Sequence, residues 1–135
     1  MKVFISGSSS VTVLSKEMTL KLDALIKISA EVLVGDCIGV DTLVQQYMKS
    51  AGYTNVKVYH VGAIPRNNLG FTNIQIPSKS RVYGRAWYQL KDIAMTNDAD
   101  AGVVFWDGRS KGSLDNIYRL KQQNKPVEVI RKEVI

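Results

Sequence analysis

Short apolar runs that alternate with amphipathic helical segments are the feature of this sequence that most restricts its fold. Five apolar runs are predicted as strands: 2–6, 31–34, 55–60, 101–106 and 126–130. Four segments carry apolar residues at helical spacing: 16–29, 40–50, 84–97 and 113–123. Strands that alternate with helices pair in parallel through right-handed crossovers. We therefore predict an α/β fold, a Rossmann-like three-layer sandwich of about five parallel strands with helices on both faces.

The length and composition indicate one domain over residues 1–135, because 135 residues with 45% hydrophobic content can bury a core without staples. Segment 61–82 contains prolines, glycines and asparagines, and is predicted to be a functional or mobile loop. No apolar run approaches the roughly 20 residues of a membrane span. Cys37 and His60, each the only residue of its type, argue against a disulfide and a structural zinc site. We expect a cytoplasmic protein that needs no metal or cofactor.

The charge is unevenly distributed along the chain. The net charge is +6, and no acidic residue occurs between Asp41 and Asp92. Seven cationic residues lie in that stretch: Lys49, Lys57, Arg66, Lys79, Arg81, Arg85 and Lys91. Such a segment indicates either an anionic partner or a solvated basic surface.

Three loops at the ends of predicted strands have the chemistry of a ligand site. In open α/β sheets, ligands bind outside the carboxyl ends of the strands. The first loop contains Gly7, Ser8 and Ser9, whose small side chains would let backbone N–H groups approach an anion. Arg85 lies at the start of the helix after the long loop, which we expect to face the same crevice, so Arg85 is predicted either to contact a phosphate or to form a surface ion pair.

The second loop combines two glycines with two carboxylates. Gly35 and Gly39 would permit tight turns and close approach to a ligand. Asp36 directly follows a strand, where it could bind a ribose hydroxyl or act as an acid or base. Asp41 is predicted either to contact the ligand or to be an acidic residue favoured at a helix start.

The third loop gives the strongest signal for an anion site. It follows the most apolar strand and opens a helix, so its backbone N–H groups and hydroxyls would converge on a phosphate. Its candidate ligand-binding residues are Asp107, Gly108, Ser110, Gly112 and Ser113. Arg109 and Lys111 add positive charge, although the spacing is not that of a Walker A loop.

Two of these loops resemble motifs of a known superfamily. Residues 32–41, VLVGDCIGVD, resemble the Gly-Gly-Ala-x-Gly-Ile/Val-Asp signature of the DprA/Smf proteins. Residues 110–114, SKGSL, and 125–127, KPV, resemble the Ser-Gly-Ser/Thr-Leu and Gly-Lys/Arg-Pro-Val segments of the same group. The LOG proteins share this plan, with a Pro-Gly-Gly-x-Gly-Thr-x-x-Glu loop. The whole chain thus resembles the SLOG superfamily of Rossmann-like nucleotide binders.

The resemblance implies a nucleotide or nucleotide-derived ligand at these loops, and a homodimer. Some LOG-type members cleave the N-glycosidic bond of nucleoside 5′-monophosphates with the final Glu of the motif and an Arg on the preceding helix. In this chain Gly112 and Ser113 take the Gly-Thr place, and Arg85 corresponds to the helix Arg. The Glu position falls on Asn116, and residues 106–108 replace Pro-Gly-Gly. An amide cannot act as a carboxylate base.

Three functions therefore stay open. The first is a nucleotide-binding or sensing domain with the phosphate on residues 110–113. The second is a nucleotide N-glycosidase or deoxyribosyltransferase-like enzyme, in which Asp36, Asp41, Asp107 or Asp115 supplies the carboxylate, Asp36 being the first candidate for a catalytic residue. The third is DprA-like binding of single-stranded DNA by the acid-free segment, with affinity that falls steeply as salt is raised.

Overall fold

A computed structural model describes residues 1–79 and 81–132. This part of the chain forms one six-stranded sheet of order β4-β3-β2-β1-β5-β6, in which all neighbouring strands are parallel. The strands are β1 (Lys2–Gly7), β2 (Glu31–Val34), β3 (Val56–Val61), β4 (Thr72–Ile76), β5 (Ala101–Trp106) and β6 (Val127–Arg131). The helices are α1 (Lys16–Lys27), α2 (Val40–Ser50), α3 (Gly84–Asp98) and α4 (Lys111–Gln122). The predicted α/β class and Rossmann-like three-layer architecture are confirmed.

The helices cover both faces of the sheet. On one face, α1 and α2 bury their apolar stripes against β1, β2, β3 and β5. Ser15 starts α1 as predicted, because its hydroxyl accepts the Met18 N–H at 3.3 Å. On the other face, α3 packs Met95 and Ala99 against Phe4, Leu33 and Tyr59 of the strands, and α4 lies over β5.

The sixth strand, β4, was not predicted. It lies inside segment 61–82, which the sequence predicts to be a loop throughout. Only Ile74 and Ile76 of β4 pack toward the core, while Asn73 and Gln75 are exposed. An edge strand needs one apolar face, so the continuous apolar pattern of the buried strands is missing here. The prolines and glycines on both sides of β4 are typical of loops, so its five residues are not recognised as a strand from the sequence.

The connection between β3 and β4 is unusual because two adjacent parallel strands are joined without a helix. Residues 62–71 return along the sheet and are fixed by the buried side chain of Gln45 from α2. Its Nε2 donates to the carbonyls of Gly35 and Asn67, each at 3.1 Å, and its Oε1 accepts the Leu69 N–H at 3.0 Å. The amide side chain of Gln45 therefore anchors residues 67–69 of the crossover to the end of β2.

The strand order places a ligand crevice between β1 and β5. From β1 the chain proceeds to β2, whereas β5 proceeds to β6 on the opposite side, so the direction of the sheet switches at this pair. Such a switch opens a crevice between the two following loops. No helix of the described residues is long and apolar enough to cross a membrane.

Replacement of Gln45 by Leu should destabilise the fold selectively. The change removes three hydrogen bonds and leaves buried backbone groups without partners, so we expect the free energy of unfolding to fall by roughly 1–3 kcal/mol. Urea titration measures the loss. Gln46→Leu is the matched control because Gln46 is exposed on the same helix. Equal effects of the two substitutions would contradict the anchoring role of Gln45.

Candidate functional site

The first and third predicted loops meet at the hydroxyl of Ser8. Ser8 is buried, and its Oγ lies 2.8 Å from Ser110 Oγ and 3.5 Å from Ser113 Oγ. The same Oγ accepts the backbone N–H of Asp107 at 3.0 Å. Three hydroxyl groups from the two loops that flank the switch point are thereby gathered into one cluster, which we call the serine cluster (Ser8, Ser110 and Ser113).

The serine cluster lies at the amino terminus of α4. Ser110 occupies the N-cap position, but its side chain makes no capping hydrogen bond and faces Ser8 instead. The first N–H groups of a helix have no partner within the helix, and the helix dipole makes this end positive. Gly112 faces open space, because a Cβ added there would have no heavy atom of another part of the protein within 4 Å.

Asp107 shapes the loop that leads into α4. One carboxylate oxygen accepts the N–H groups of Arg109 and Ser110, both at 2.8 Å, and the other accepts the Ser10 hydroxyl at 2.8 Å. Burial alone would raise the pKa of Asp107, but these hydrogen bonds lower it to about 2. Asp107 and the turn at Gly108 thus lie in the loop as predicted, with the carboxylate already bound to the loop itself.

Two glycines bring the first and second loops into contact. A Cβ on Gly7 would collide with Val40, so only glycine lets α2 approach the end of β1 this closely. Gly39 has a φ of +84°, which L-residues rarely adopt, and a Cβ there would lie 2.8 Å from Ser9 Cα. The sequence predicts that Gly7 and Gly39 allow close approach of a ligand. In the structure, each of these glycines lies against another part of the protein.

Asp36 is held by Arg66 at the end of β2. Asp36 is 2% exposed, and its two oxygens accept the Arg66 Nη2 at 3.0 Å and the Arg66 backbone N–H at 2.8 Å. Burial favours a higher pKa for Asp36, but the hydrogen bonds from Arg66 and the charge of Lys91 lower it below its usual range. Direct action of Asp36 on a ligand would require Arg66 to release it.

Lys91 is the centre of a buried charge cluster. Its side chain is 5% exposed, and its Nζ lies 3.9 Å from oxygens of Asp36 and Asp41 and 3.7 Å from Asp92. The Sγ of Cys37 is 3.4 Å away. Burial favours a lower pKa for Lys91, but the surrounding carboxylates outweigh it and raise the pKa. We call Lys91, Asp36, Asp41 and Asp92 the lysine cluster.

Asp41 is both a helix-start residue and a member of the lysine cluster. Its Oδ2 accepts the Cys37 N–H at 3.0 Å, which closes the second loop. Burial raises the pKa of Asp41 to about 6, although Lys91 opposes the shift. Burial also raises the pKa of the Cys37 thiol. A Cβ on Gly35 would lie 2.6 Å from Asp41 Oδ2 and 2.7 Å from Lys91 Nζ, so the cluster requires glycine there.

Asn116, at the position of the LOG-type glutamate, is buried below the serine cluster. Its Nδ2 donates to Ser6 Oγ at 2.8 Å and lies 3.3 Å from Asp92 Oδ2. Its Oδ1 accepts from Arg119 Nη1 at 2.8 Å. A carboxylate from α3, Asp92, therefore lies next to the place that the family motif gives to a glutamate.

Arg85 lies at the edge between α3 and α4. The exposed guanidinium forms an ion pair with Asp115, which also lies 3.3 Å from the Gln89 amide nitrogen. The two amino-terminal segments of α3 and α4 are joined in this way. Contact of Arg85 with a phosphate stays a prediction, and in the structure its partner is the carboxylate of Asp115.

Sequence reasoning missed Lys91, Arg66 and Asp92 as members of the site. Lys91 lies four residues before Met95 and four after Trp87, on the inward face of α3. A cation at a position where the helical pattern expects an apolar residue was a signal in the sequence that Lys91 is buried. Residues 65–68, which include Arg66, resemble a binding loop only in composition, and the pairing of Arg66 with Asp36 depends on the fold. The number of cations in the acid-free segment therefore overestimates the positive charge that is not paired with a carboxylate.

Four of the seven cations in that segment face carboxylates supplied by other parts of the chain. Lys57 lies 3.7 Å from Glu31, and Arg66, Arg85 and Lys91 form the pairs described above. Lys49, Lys79 and Arg81 form no ion pair with a residue in the described part of the chain. The segment thus presents less free charge than its sequence suggests.

Removal of the Lys91 charge should be strongly destabilising. Lys91→Met would leave buried carboxylates without their common counter-ion, and breaking a buried pair in this way costs about 3–5 kcal/mol. Urea unfolding at pH 7 measures this cost. Lys49→Met, at an exposed position of α2, should change stability by less than about 0.5 kcal/mol. A loss below about 1 kcal/mol for Lys91→Met would contradict the central role of the ammonium group.

Asp41 should make stability fall as the pH rises through the mildly acidic range. Its pKa is raised from 3.8 to about 6 by folding, so the folded state holds the proton more tightly. The associated stability is present below about pH 4 and is lost by about pH 6, roughly 3 kcal/mol at most. Asp41→Asn should remove this dependence in a urea series over pH. The exposed change Glu17→Gln should leave the slope as in the wild type.

Comparison with solved structures supports the fold. The chain is similar to the structure of DNA processing protein A from Helicobacter pylori, described for its single-stranded DNA binding mode, with a TM-score of 0.68 and 18% identity over 99% of this chain and 66% of that one. It is also similar to the molybdenum cofactor binding protein of Rippkaea orientalis, with a TM-score of 0.64 and 16% identity over 98% and 77% of the two chains. No protein-family model and no curated protein matches the sequence. At these identities the likeness establishes a shared Rossmann-like fold.

Proposed function

We propose that this chain binds a nucleotide or nucleotide-derived ligand at the carboxyl-terminal edge of its sheet, with a phosphate on the first turn of α4. The observation that carries the proposal is the serine cluster. A buried hydroxyl from the β1 loop meets two hydroxyls at the start of a 12-residue helix whose N-cap side chain does not cap it. This start lies at the switch point of the sheet, where ligands of open α/β folds bind.

The electrostatics of the α4 start favour an anion. The first turn contains no acidic residue, and the helix dipole adds partial positive charge to its N–H groups. The ionised carboxylate of Asp107 lies in the preceding loop, where it is bound to the N–H groups of Arg109 and Ser110 and leaves the later N–H groups of the turn for a ligand. The exposed side chains of Arg109 and Lys111 lie on either side of Ser110. A phosphate could accept hydrogen bonds from the helix amides and from the serine hydroxyls together, which a neutral ligand would not do equally well.

The comparisons add general support. The two solved structures are described by their binding of single-stranded DNA and of a molybdenum cofactor. A shared fold with ligand-binding proteins agrees with a ligand site here, and the SLOG superfamily is the family assignment that we propose. Because this chain spans 66% of the DNA processing protein A chain, the activities of that whole protein are not transferred.

The proposal predicts binding that depends on the phosphate. We expect calorimetry to detect nucleoside 5′-monophosphates but not the corresponding nucleosides, and inorganic phosphate to compete with the monophosphates. Gly112→Val should weaken binding at least about tenfold, because its side chain would occupy the open approach to the helix amides. Lys121→Val, in the last turn of the same helix, is the control for helix propensity. Equal binding of nucleoside and monophosphate would contradict the proposal.

Cleavage of the N-glycosidic bond is the second candidate, and the proximity of Asp92 to Asn116 is the observation that favours it. Asp36 remains the predicted carboxylate from the sequence, whereas Asp92 is the carboxylate beside the family's glutamate position. We expect binding without release of free base, because Asn116 cannot ionise and Asp36 is paired with Arg66. Chromatography of a panel of nucleoside and deoxynucleoside monophosphates tests this expectation. Base release that disappears in Asp36→Asn or Asp92→Asn would assign an enzyme instead.

A further inference from the structure

A groove beside the amino terminus of α3 has a composition that neither the serine cluster nor the lysine cluster explains. Its volume is about 580 Å³. Three aromatic side chains and two cations line it, together with a helix-start glycine: Tyr83, Trp87, Tyr88, Lys79, Arg81 and Gly84. We call it the aromatic groove.

The aromatic rings of the groove are exposed to different degrees and two are fixed in place. Trp87 and Tyr88 pack edge to face, with centroids 5.0 Å apart and planes at 89°. Trp87 also lies against Gly62 at the end of β3, where an added Cβ would be 3.5 Å from its ring. Tyr83 is 79% exposed and Tyr88 is 45% exposed. A planar ligand that stacks in the groove would cover the exposed aromatic surface of Tyr83 and Tyr88 next to Trp87.

The cations of the groove are free to meet an anion. Lys79 and Arg81 are exposed, and neither forms an ion pair with the residues that the structure describes. They differ in this from Arg66, Arg85 and Lys91, which are paired with carboxylates. Most of the unpaired charge of the acid-free segment is thus concentrated next to the exposed rings.

The groove adjoins the proposed phosphate site. Arg85 follows Gly84 of the groove and pairs with Asp115 in α4, two residues beyond Ser113 of the serine cluster. On the other side, the guanidinium of Arg66 lies 4.7 Å from the ring centroid of Tyr88 while it holds Asp36. The Arg85–Asp115 pair thus joins the start of α3, where the groove lies, to α4, whose first turn is the proposed phosphate site.

We propose that the aromatic groove is the base-binding part of the nucleotide site, in which the rings stack on a nucleobase and Lys79 and Arg81 contact a further phosphate. This inference rests on the proposed function, since the first phosphate orients the base toward the groove. Every base has a π-face, so stacking here tolerates different bases. The same chemistry is offered by a free nucleotide and by an unpaired nucleic-acid strand.

The experiment compares ligands that share a phosphate but differ in the base. Calorimetry with ribose 5-phosphate, adenosine 5′-monophosphate and a 5′-phosphorylated adenylyl dinucleotide is performed on the full chain. We expect the monophosphate to bind about tenfold more tightly than ribose 5-phosphate. Equal affinities would overturn the groove assignment and leave the phosphate site intact, whereas no binding of any of the three would remove the proposed function itself.

Two pairs of variants assign the effect to the groove. Tyr83→Ala should abolish the advantage of the monophosphate over ribose 5-phosphate, while Tyr118→Ala, at an exposed tyrosine of α4, should keep it. If the dinucleotide binds more tightly still, and Lys79→Gln removes that gain while Lys49→Gln does not, the source is a strand. No gain from the second nucleotide would overturn the contact of Lys79 and Arg81 with a further phosphate and would leave only the stacking of a single base. Retention of the base advantage in Tyr83→Ala would overturn the inference.

A spectroscopic measurement gives an independent check. Base stacking in the groove should quench the fluorescence of Trp87, and Trp87→Phe should remove that change while binding is kept, because phenylalanine can still stack. Ribose 5-phosphate should cause no such quenching. Binding of the monophosphate without any loss of Trp87 fluorescence would contradict stacking on this ring.

Discussion

The carboxyl-terminal edge of the sheet depends on the ion pairs between the buried ammonium group of Lys91 and three carboxylates. The ammonium group lies within 4 Å of carboxylates from the second loop and from its own helix, and no single pair among them has ideal hydrogen-bond geometry. Desolvation of these charges is costly, and only their mutual attraction offsets it. These ion pairs tie α3 to the loop after β2, in addition to the apolar packing of Met95 against Leu33. A change in any member of the lysine cluster shifts the balance for all of them.

The serine cluster depends on a different constraint, the close approach of loops around the switch point. Gly7 lets α2 lie against the end of β1, and the buried hydroxyl of Ser8 then reaches the α4 start. Asp107 holds its own loop with one carboxylate oxygen and binds Ser10 of the first loop with the other. The geometry of the proposed phosphate site is thus held by hydrogen bonds within the protein, so under the proposed function the ordering cost of binding is small.

The sequence was sufficient for those features that depend on local pattern. The apolar runs predicted five of the six strands, and strand ends followed by small polar residues predicted Ser8, Ser110 and Ser113, which the fold brings together. Long-range pairing was beyond such reasoning. Arg66 reaches Asp36 across 30 positions, and β4 carries only two core-facing residues. The number of cations in the acid-free segment also overestimated its unpaired charge. Composition does not show that carboxylates from other parts of the chain pair with four of these cations.

The crossover without a helix has a consequence for motion. A helical connection would bury an apolar stripe, whereas residues 62–71 are fixed chiefly by hydrogen bonds to Gln45 and by the contacts of Arg66. Segments with few buried apolar contacts belong to the lowest-energy opening units of a protein. Opening of residues 62–71 would therefore cost less free energy than opening of the sheet, and it would separate Asp36 from its guanidinium partner. Amide hydrogen exchange would then be faster in these residues than in the strands on either side.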